Sequence, residues 1–202
     1  MQSWVEALRQ LLDVKAIIQW GGIAGITSIV FVETGLFVGF FLPGDSLLVT
    51  AGILSAAGLI DIRLLIPCAC AAAVIGDQTG YVIGRNAGKA LTQRYARFRT
   101  HLERAHAFYE KYGAKTIVIA RFVPIVRTFV PAVAGAAEMN YRKFVIYNIL
   151  GGLLWVLSTT LLGFLFGRTI PNIEQNLHLV IVIVVFLSLL PAIFEWWKHS
   201  KA

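Results

Sequence analysis

Residues 116–137 read TIVIARFVPIVRTFVPAVAGAA, an apolar segment with two prolines and two arginines, and basic residues flank it on both sides. Because Pro124 and Pro131 interrupt a continuous helix, the segment predicts two short arms of about 10 residues that enter a membrane and turn back. Non-helical backbone at that depth is tolerated only where protein or a water-filled cavity surrounds it. Residues 116–139 therefore predict a re-entrant hairpin beside a transport pathway.

The composition of the whole chain supports a membrane location. Of 202 residues, 57% are hydrophobic and 14% are charged, a balance outside the range of soluble proteins. The uncharged runs 144–167 and 177–194 are each close to the roughly 20 residues of a spanning helix. The predicted crossing that contains the second run covers residues 177–197. A third crossing is predicted at 64–84, where Pro67 and Asp77 interrupt the apolar run.

The net charge of +7 is concentrated in residues 85–115, which carry eight basic residues and two glutamates. By the positive-inside rule this loop or helix is predicted to be cytoplasmic, together with the C-terminus. Stacking platforms and base-reading signatures are missing, so a solvated surface beside anionic headgroups is favoured over nucleic-acid binding. Residues 1–16 predict an amphipathic helix lying in the membrane interface.

The first part of the chain repeats the design of the central hairpin. Residues 17–60 contain two apolar arms that are separated by Pro43 and Gly44, and Phe41-Leu42-Pro43 resembles Phe122-Val123-Pro124. A hairpin plus one crossing makes an odd number of traversals, so two successive copies have opposite topology. We therefore predict a single all-α integral membrane domain, 1–202. It is an inverted repeat of re-entrant helical hairpin plus transmembrane helix, followed by a C-terminal transmembrane helix.

Four charged residues lie within the predicted hairpins: Glu33 and Asp45 in the first, Arg121 and Arg127 in the second. Charges in the apolar layer cost several kcal/mol each unless they are paired or hydrated, and they usually mark function. Two opposed hairpins would bring these acids and bases together. In the alternative interpretation, the acids only neutralise the arginines and lock the hairpins.

Several other residues allow simpler interpretations. Asp77 either joins the pathway or caps and packs a helix end. Gly80, Gly84 and Gly88 predict a close helix contact rather than a phosphate loop. The two cysteines, Cys68 and Cys70, are interpreted as packing residues, and no spacing typical of metal ligands is present, so no metal or cofactor is expected.

The chain resembles the DedA family, also called the SNARE-associated or VTT domain, through a combination of motifs between about residues 21 and 167. These motifs are Glu33, the Phe-Leu-Pro-Gly-Asp run that ends at Asp45, Gly76-Asp77, Gly80-Tyr81, Gly84-Arg85, Arg121-Phe-Val-Pro, Arg127 and Pro131. The resemblance implies a proton-dependent, multi-pass protein of the bacterial inner membrane with facing re-entrant hairpins. Some members are implicated in returning undecaprenyl phosphate across that membrane.

A polyprenyl-phosphate transporter agrees with the chemistry of the charged residues. The planar guanidinium groups of Arg121 and Arg127 suit phosphate oxygens and are the expected phosphate ligands. Glu33 and Asp45 are the expected proton-coupling residues, because burial favours the protonated carboxyl. The expected partners are membrane lipids, the polyprenyl phosphate and protons.

Three alternatives remain open at this stage. A lipid phosphatase would need a nucleophile or metal set, and neither is found, so an enzyme is not expected. A proton-dependent cation transporter would use the acids alone, and a general phospholipid scramblase would need no proton coupling.

The close contacts available at Gly151-Gly152 fit internal packing or a dimer, so the chain is expected to be a monomer or a homodimer.

Overall fold

The structure is a computed structural model that describes residues 14–36, 42–94, 105, 107, 109 and 112–169. These residues form helices and turns, with no strand among them. The helices whose bounds are described are α1 (Val14–Gly35), α2 (Gly44–Ala56), α3 (Ile62–Arg94), α4 (Lys115–Ala120), α5 (Pro124–Ala136) and α6 (Tyr141–Thr169). The predicted interfacial helix, apart from its last three residues, and the predicted last crossing at 177–197 lie outside the described residues.

Two of these helices are long and apolar enough to cross a membrane. Their spans are Ile62–Ala90 in α3 and Tyr141–Thr169 in α6, of 29 residues each. They contain the predicted crossings 64–84 and 144–167. Helix α3 continues through Pro67 and Asp77, so the interruption expected there does not occur. A proline inside a helix removes one backbone hydrogen bond, which the remaining bonds of a 33-residue helix tolerate.

Prolines mark the starts of α2 and α5, where the hairpin breaks were predicted. Pro43 is the N-cap of α2 and Gly44 is its first residue, while Pro124 is the first residue of α5. The N–H groups of a first helical turn have no partner within the helix, so proline is well suited to this position. Both helices contain 13 residues.

The prediction that Pro131 breaks the second hairpin was wrong, because α5 continues through it to Ala136. Pro131 removes the one backbone bond that its N–H would have donated to the carbonyl of Arg127. Its ring lies beside Gly80 of α3, where a Cβ would be 3.4 Å from Cβ of Pro131, so the neighbouring helix leaves room for it. The arms are also unequal, since α4 has only six residues.

Helix α1 has a break of its own at Gly22, where φ is 50° and ψ is −141°. A side chain strongly disfavours such a backbone conformation, and glycine adopts it without steric cost. The break separates the first turns of α1 from an apolar part, Gly21–Gly35. The break lies within the first of the two apolar arms predicted in residues 17–60, and it was not predicted.

The described residues fall into two compact units. The first contains those of Met1–Val30, Phe41–Ala71 and Val156–Ala202. In it, α2 packs on the second half of α6 by mutual glycine contacts. A Cβ on Gly52 would lie 2.2 Å from the carbonyl oxygen of Thr160, and one on Gly163 would lie 2.1 Å from that of Val49. Backbone therefore meets backbone between these two helices.

The second unit contains the described residues of Phe31–Phe40 and Ala72–Trp155. Here α5 packs on α3 in the same manner. A Cβ on Gly84 would lie 2.1 Å from the carbonyl oxygen of Ala132, and one on Gly135 would lie 2.0 Å from that of Tyr81. Gly88 likewise has no room for a side chain. The predicted close contact at Gly80, Gly84 and Gly88 is thus confirmed.

An aromatic cluster joins α3 to the turn between α5 and α6 in the second unit. Tyr81 stacks on Phe144 with ring centroids 4.5 Å apart, and its hydroxyl donates to the carbonyl oxygen of Met139 at 2.5 Å. Tyr109 is buried in the same cluster, with its hydroxyl 3.5 Å from the carbonyl oxygen of Val130. These contacts fix the helices that carry the charged residues described next.

Candidate functional site

The second unit holds two buried acid–base pairs. Nη2 of Arg121 donates to Oδ2 of Asp77, and Nη2 of Arg127 donates to Oε1 of Glu33. None of the four side chains is more than 6% exposed. Since an isolated charge loses several kcal/mol of hydration in such a place, each pairing offsets the burial of both partners.

Both arginines lie next to the break between α4 and α5. Arg121 caps the end of α4, and Val123 then takes an extended conformation with φ −111° and ψ 105° that leads into Pro124. The backbone N–H of Arg127 donates to the carbonyl oxygen of Val123 at 3.0 Å, which places Arg127 in the first turn of α5. The proline that ends the first arm therefore also sets the positions of the two guanidinium groups.

Arg121 is held between α3 and α6. Its Nη2 also donates to Oδ1 of Asn148 at 2.5 Å, and Nδ2 of Asn148 donates to the carbonyl oxygen of Val74 at 3.1 Å. Nε and Nη1 of Arg121 are buried and have no hydrogen-bond partner among the described residues. Donors buried in this way cost about 1–3 kcal/mol, so Arg121 can still bind another anion.

Two glycines of α6 make room for the side chain of Arg121. A Cβ on Gly151 would lie 3.1 Å from Cδ of Arg121, and a Cβ on Gly152 would lie 3.2 Å from Nη1. A Cβ on Gly152 would also lie 3.2 Å from Cγ2 of Val74. The pair Gly151-Gly152, for which internal packing or a dimer was considered, therefore serves internal packing around a charged group.

Arg127 has a different environment. Its Cζ lies 4.5 Å from the ring centroid of Trp155, which is 1% exposed. A cation over the face of a buried tryptophan is stabilised by about 2 kcal/mol through the ring quadrupole. The partners of Arg127 thus include the carboxylate of Glu33 and the aromatic ring of Trp155. The attraction between the guanidinium and the ring does not depend on the charge of Glu33.

The two pairs form one neutral set of groups. The charges of both Arg121 and Arg127 act on Asp77, so the pairs are electrostatically connected. Carboxylate and phosphate oxygens compete for the same planar N–H donors of a guanidinium. Protonation of a carboxylate weakens its hold on the arginine, and the guanidinium then becomes available to a phosphate.

The structure brings three of the four predicted charged residues into one unit, and the fourth belongs to the other unit. Glu33 contacts Arg127, as expected of the two hairpins. Asp77 is the partner of Arg121, and it lies in the middle of α3, so the interpretation that it caps a helix end was wrong. Asp45 lies half-buried in the first turn of α2, in the first unit. The roles assigned to these residues remain predictions.

Sequence reasoning missed two residues of the site. Asn148 is fully buried, and it is the only amide side chain in the uncharged run 144–167, a signal that could have been noticed. Trp155 lies in the same uncharged run, and nothing in the sequence connects it with Arg127. Among the described residues, no group of three His, Cys, Asp or Glu side chains could hold a metal ion.

Comparison with known proteins agrees with this architecture. The family model described as the VTT domain matches residues 42–165. Protein DedA of Escherichia coli (strain K12) is 47% identical over 180 residues, which cover 86% of this chain and 81% of the relative. An uncharacterized membrane protein of Mycobacterium tuberculosis is 44% identical over 213 aligned positions, covering 100% of this chain and 93% of the relative.

A third relative is the inner membrane protein YqjA of Escherichia coli (strain K12). It is 35% identical over 183 residues, which cover 85% of this chain and 82% of the relative. No solved structure matches the chain. The two long apolar helices and these relatives define the chain as an all-α membrane protein. It belongs to the DedA family of VTT-domain proteins.

Proposed function

We propose that this protein is a proton-coupled transporter that translocates an anionic lipid, polyprenyl phosphate, across the bacterial inner membrane and so supports recycling of the lipid carrier. The observation that carries the proposal is the buried pair of arginines, Arg121 and Arg127, each held by a carboxylate within a membrane protein. Buried ionisable groups in membrane proteins usually line the path of a substrate or ion. The inner-membrane location is supported by the relative YqjA, an inner membrane protein.

The proposed architecture is an inverted repeat of two re-entrant hairpins. Its support is the correspondence between the two units. In each, a 13-residue helix with a proline at its start packs on half of a long apolar helix through mutual glycine contacts. In each case the short helix and its long partner come from different repeats, since α2 packs on α6 and α5 packs on α3. The same contact thus recurs once in each unit, as expected of an internal structural repeat.

Arg121 and Arg127 are the proposed phosphate ligands. Phosphate offers oxygens in the geometry that a planar guanidinium binds with two parallel hydrogen bonds. The unpartnered Nε and Nη1 of Arg121 supply donors for the first contact. The polyprenyl tail stays in the bilayer during translocation, so only the headgroup enters the protein.

Proton binding is coupled to transport because the protonation of the carboxylates determines whether the arginines bind a carboxylate or a phosphate. A proton taken up by Glu33 frees Arg127 for phosphate, and its release on the other side of the membrane restores the ion pair and expels the headgroup. We propose that Asp45, which lies in the first unit, is also a proton-coupling residue. Arg127 remains over Trp155 while Glu33 is neutral, so it keeps its position between the two states.

Translocation of fluorescent undecaprenyl phosphate in proteoliposomes, under an imposed pH gradient, tests the proposal. The native protein is compared with Arg127→Ala and Glu33→Gln, and Arg142→Ala is the control because Arg142 is exposed. We expect gradient-driven translocation in the native protein and the control, and loss of at least tenfold in the other two.

The remaining outcomes separate the alternatives. Translocation that is equally fast without a gradient and survives Glu33→Gln would indicate a scramblase. Absence of translocation by folded native protein that still moves protons or cations, with Arg127→Ala unaffected, would indicate a cation transporter. Either result overturns the proposal.

A further inference from the structure

Asp77 is a buried carboxylate to which the proposed cycle gives no task. It is 3% exposed, lies in the middle of α3, and holds Arg121 as Glu33 holds Arg127. Asp77 occupies Nη2 of Arg121, while Nε and Nη1 are the donors left for a phosphate. Because Arg121 is one of the two proposed phosphate ligands, an ionised Asp77 beside a bound phosphate would place two anions on one guanidinium.

The described contacts place both charged and uncharged groups around the two carboxylates. Asp77 experiences the charges of Arg121 and Arg127, and α6 places the uncharged amide of Asn148 on the same guanidinium nitrogen. Glu33 faces Arg127, and α6 contributes the uncharged ring of Trp155 to that arginine. With both carboxylates ionised, the two cations and two anions sum to zero.

The charge of the cargo sets how many protons are needed. A phosphate monoester has a second pKa of about 6, so it is a dianion above neutral pH. If it binds both guanidinium groups while the carboxylates stay ionised, the buried site carries two uncompensated negative charges. Each such charge costs several kcal/mol in a low-dielectric interior. Neutralising both carboxylates removes this cost.

We propose that Asp77 is a second proton-accepting group beside Glu33, and that the site takes up two protons for each phosphate monoester dianion it binds. This inference rests on the proposed function. One proton adds to the carboxylate of Asp77 and one to that of Glu33, and the phosphate oxygens replace them at the guanidinium groups. No covalent bond besides these two O–H bonds is formed or broken. The site is neutral before and after binding, so translocation is electroneutral.

Asn148 makes this exchange possible at Arg121. Its Oδ1 accepts from Nη2 whatever the charge of Asp77, and its own amide is anchored on Val74. Arg121 therefore keeps a neutral partner when Asp77 is protonated, as Arg127 keeps Trp155. Each arginine therefore has, among its described partners, a carboxylate that titrates and a group that does not.

Calorimetry of the detergent-solubilised full chain counts the protons. Farnesyl phosphate, a short polyprenyl phosphate, is titrated at about pH 8 in buffers of different ionisation enthalpy, and farnesol serves as the probe without a phosphate. The slope of the observed enthalpy against the buffer enthalpy gives the protons taken up per lipid bound. We expect about two for the native protein, about one for Asp77→Asn and about one for Glu33→Gln.

Asp61→Asn is the matched control, because Asp61 is an exposed acid outside the site that accepts from the backbone N–H of Arg63 at 2.8 Å. It should give the native count. Because Asp77→Asn leaves Arg121 without its carboxylate and can misfold, a double variant with Arg121→Gln removes both charges. It should bind more weakly and take up about one proton.

A native count of one or zero, or an unchanged count in Asp77→Asn and in the double variant, would overturn the inference and leave the proposed function standing. A folded native protein that binds farnesyl phosphate no better than farnesol would overturn the proposed function, and the inference with it.

Electroneutral translocation is tested by a separate measurement. A membrane potential imposed without a pH gradient should not drive translocation, and acceleration by the potential would contradict a count of two.

Discussion

The guanidinium of Arg121 and the carboxylate of Asp77 form a buried ion pair across 44 residues of sequence. The pair connects the break between α4 and α5 to the middle of α3. Arg127 and Glu33 do the same between α5 and the last turn of α1, across 94 residues. Breaking either pair should therefore affect stability as well as transport, and variants that separate the two effects are informative.

Neutralising both members of the Arg127–Glu33 pair should restore stability without restoring transport. Arg127→Gln alone leaves the carboxylate of Glu33 buried without its cation, and we expect a loss of about 3–5 kcal/mol in the free energy of unfolding. The double variant with Glu33→Gln buries no charge and should recover most of this loss. Thermal unfolding in detergent, followed by circular dichroism, measures both. A double variant no more stable than Arg127→Gln would show that the pair does not exist.

A side chain at Gly84 should separate α3 from α5. The Cβ of Gly84→Ala would meet the backbone of Ala132 at 2.1 Å, and backbone cannot move aside as a flexible side chain can. We expect destabilisation near the upper end of the ~1–3 kcal/mol range for overpacking. Gly21→Ala is the matched control, because nothing lies within 4 Å of a Cβ there and alanine favours a helix. Equal melting temperatures for the two variants would contradict the packing described.

Removing the hydroxyl of Tyr81 should cost more than removing that of Tyr141. Tyr81→Phe keeps the stack on Phe144 but leaves the buried carbonyl of Met139 without its donor, an expected loss of about 1–3 kcal/mol. Tyr141→Phe removes an exposed bond to Gln78, which water can replace. The order of the two melting temperatures in detergent tests the difference, and the reverse order would contradict it.

Stability should fall at alkaline pH because of Tyr109. Burial raises the pKa of Tyr109 from 10.0 to about 12, so the folded protein holds this proton after the unfolded chain has released it. Its contribution is complete below pH 10 and declines between pH 10 and about 12, by up to about 1.4 kcal/mol per pH unit. The free energy of unfolding as a function of pH measures this decline. Tyr109→Phe should flatten the profile, and the exposed Tyr112→Phe should not.

Much of the helical organisation could be predicted from local sequence. Pro43 and Pro124 open helices because proline suits a first helical turn, and the uncharged run 144–167 is long enough to span a membrane. The same reasoning failed at Pro131. An internal proline costs its helix one backbone bond, and in a membrane protein the surrounding helices decide whether that loss is tolerated. Here the neighbour that packs on Pro131 is Gly80 of α3. That neighbour is 51 residues away and unknown at the level of sequence.

The sequence predicts that buried acids and bases form the site, but it does not predict which acid pairs with which base. A charge in an apolar layer has a high free energy, and this marks four residues as candidates for the site: Glu33, Asp45, Arg121 and Arg127. Those arguments do not say which acid meets which base, since that depends on the packing of α3 against α5 and α6. Asp77, interpreted as a possible helix cap, is the partner of Arg121 for this reason.

The glycine contacts between α3 and α5 have a consequence for the evolution of this chain. At Gly84 and Gly135 the obstacle to a side chain is the main chain of the opposite helix, which is the same whatever residue stands there. No replacement on the partner helix can compensate, so pairs of substitutions cannot arise together at these positions. Correlated substitutions among relatives should therefore carry little information about this interface, although its helices approach as closely as any in the described chain.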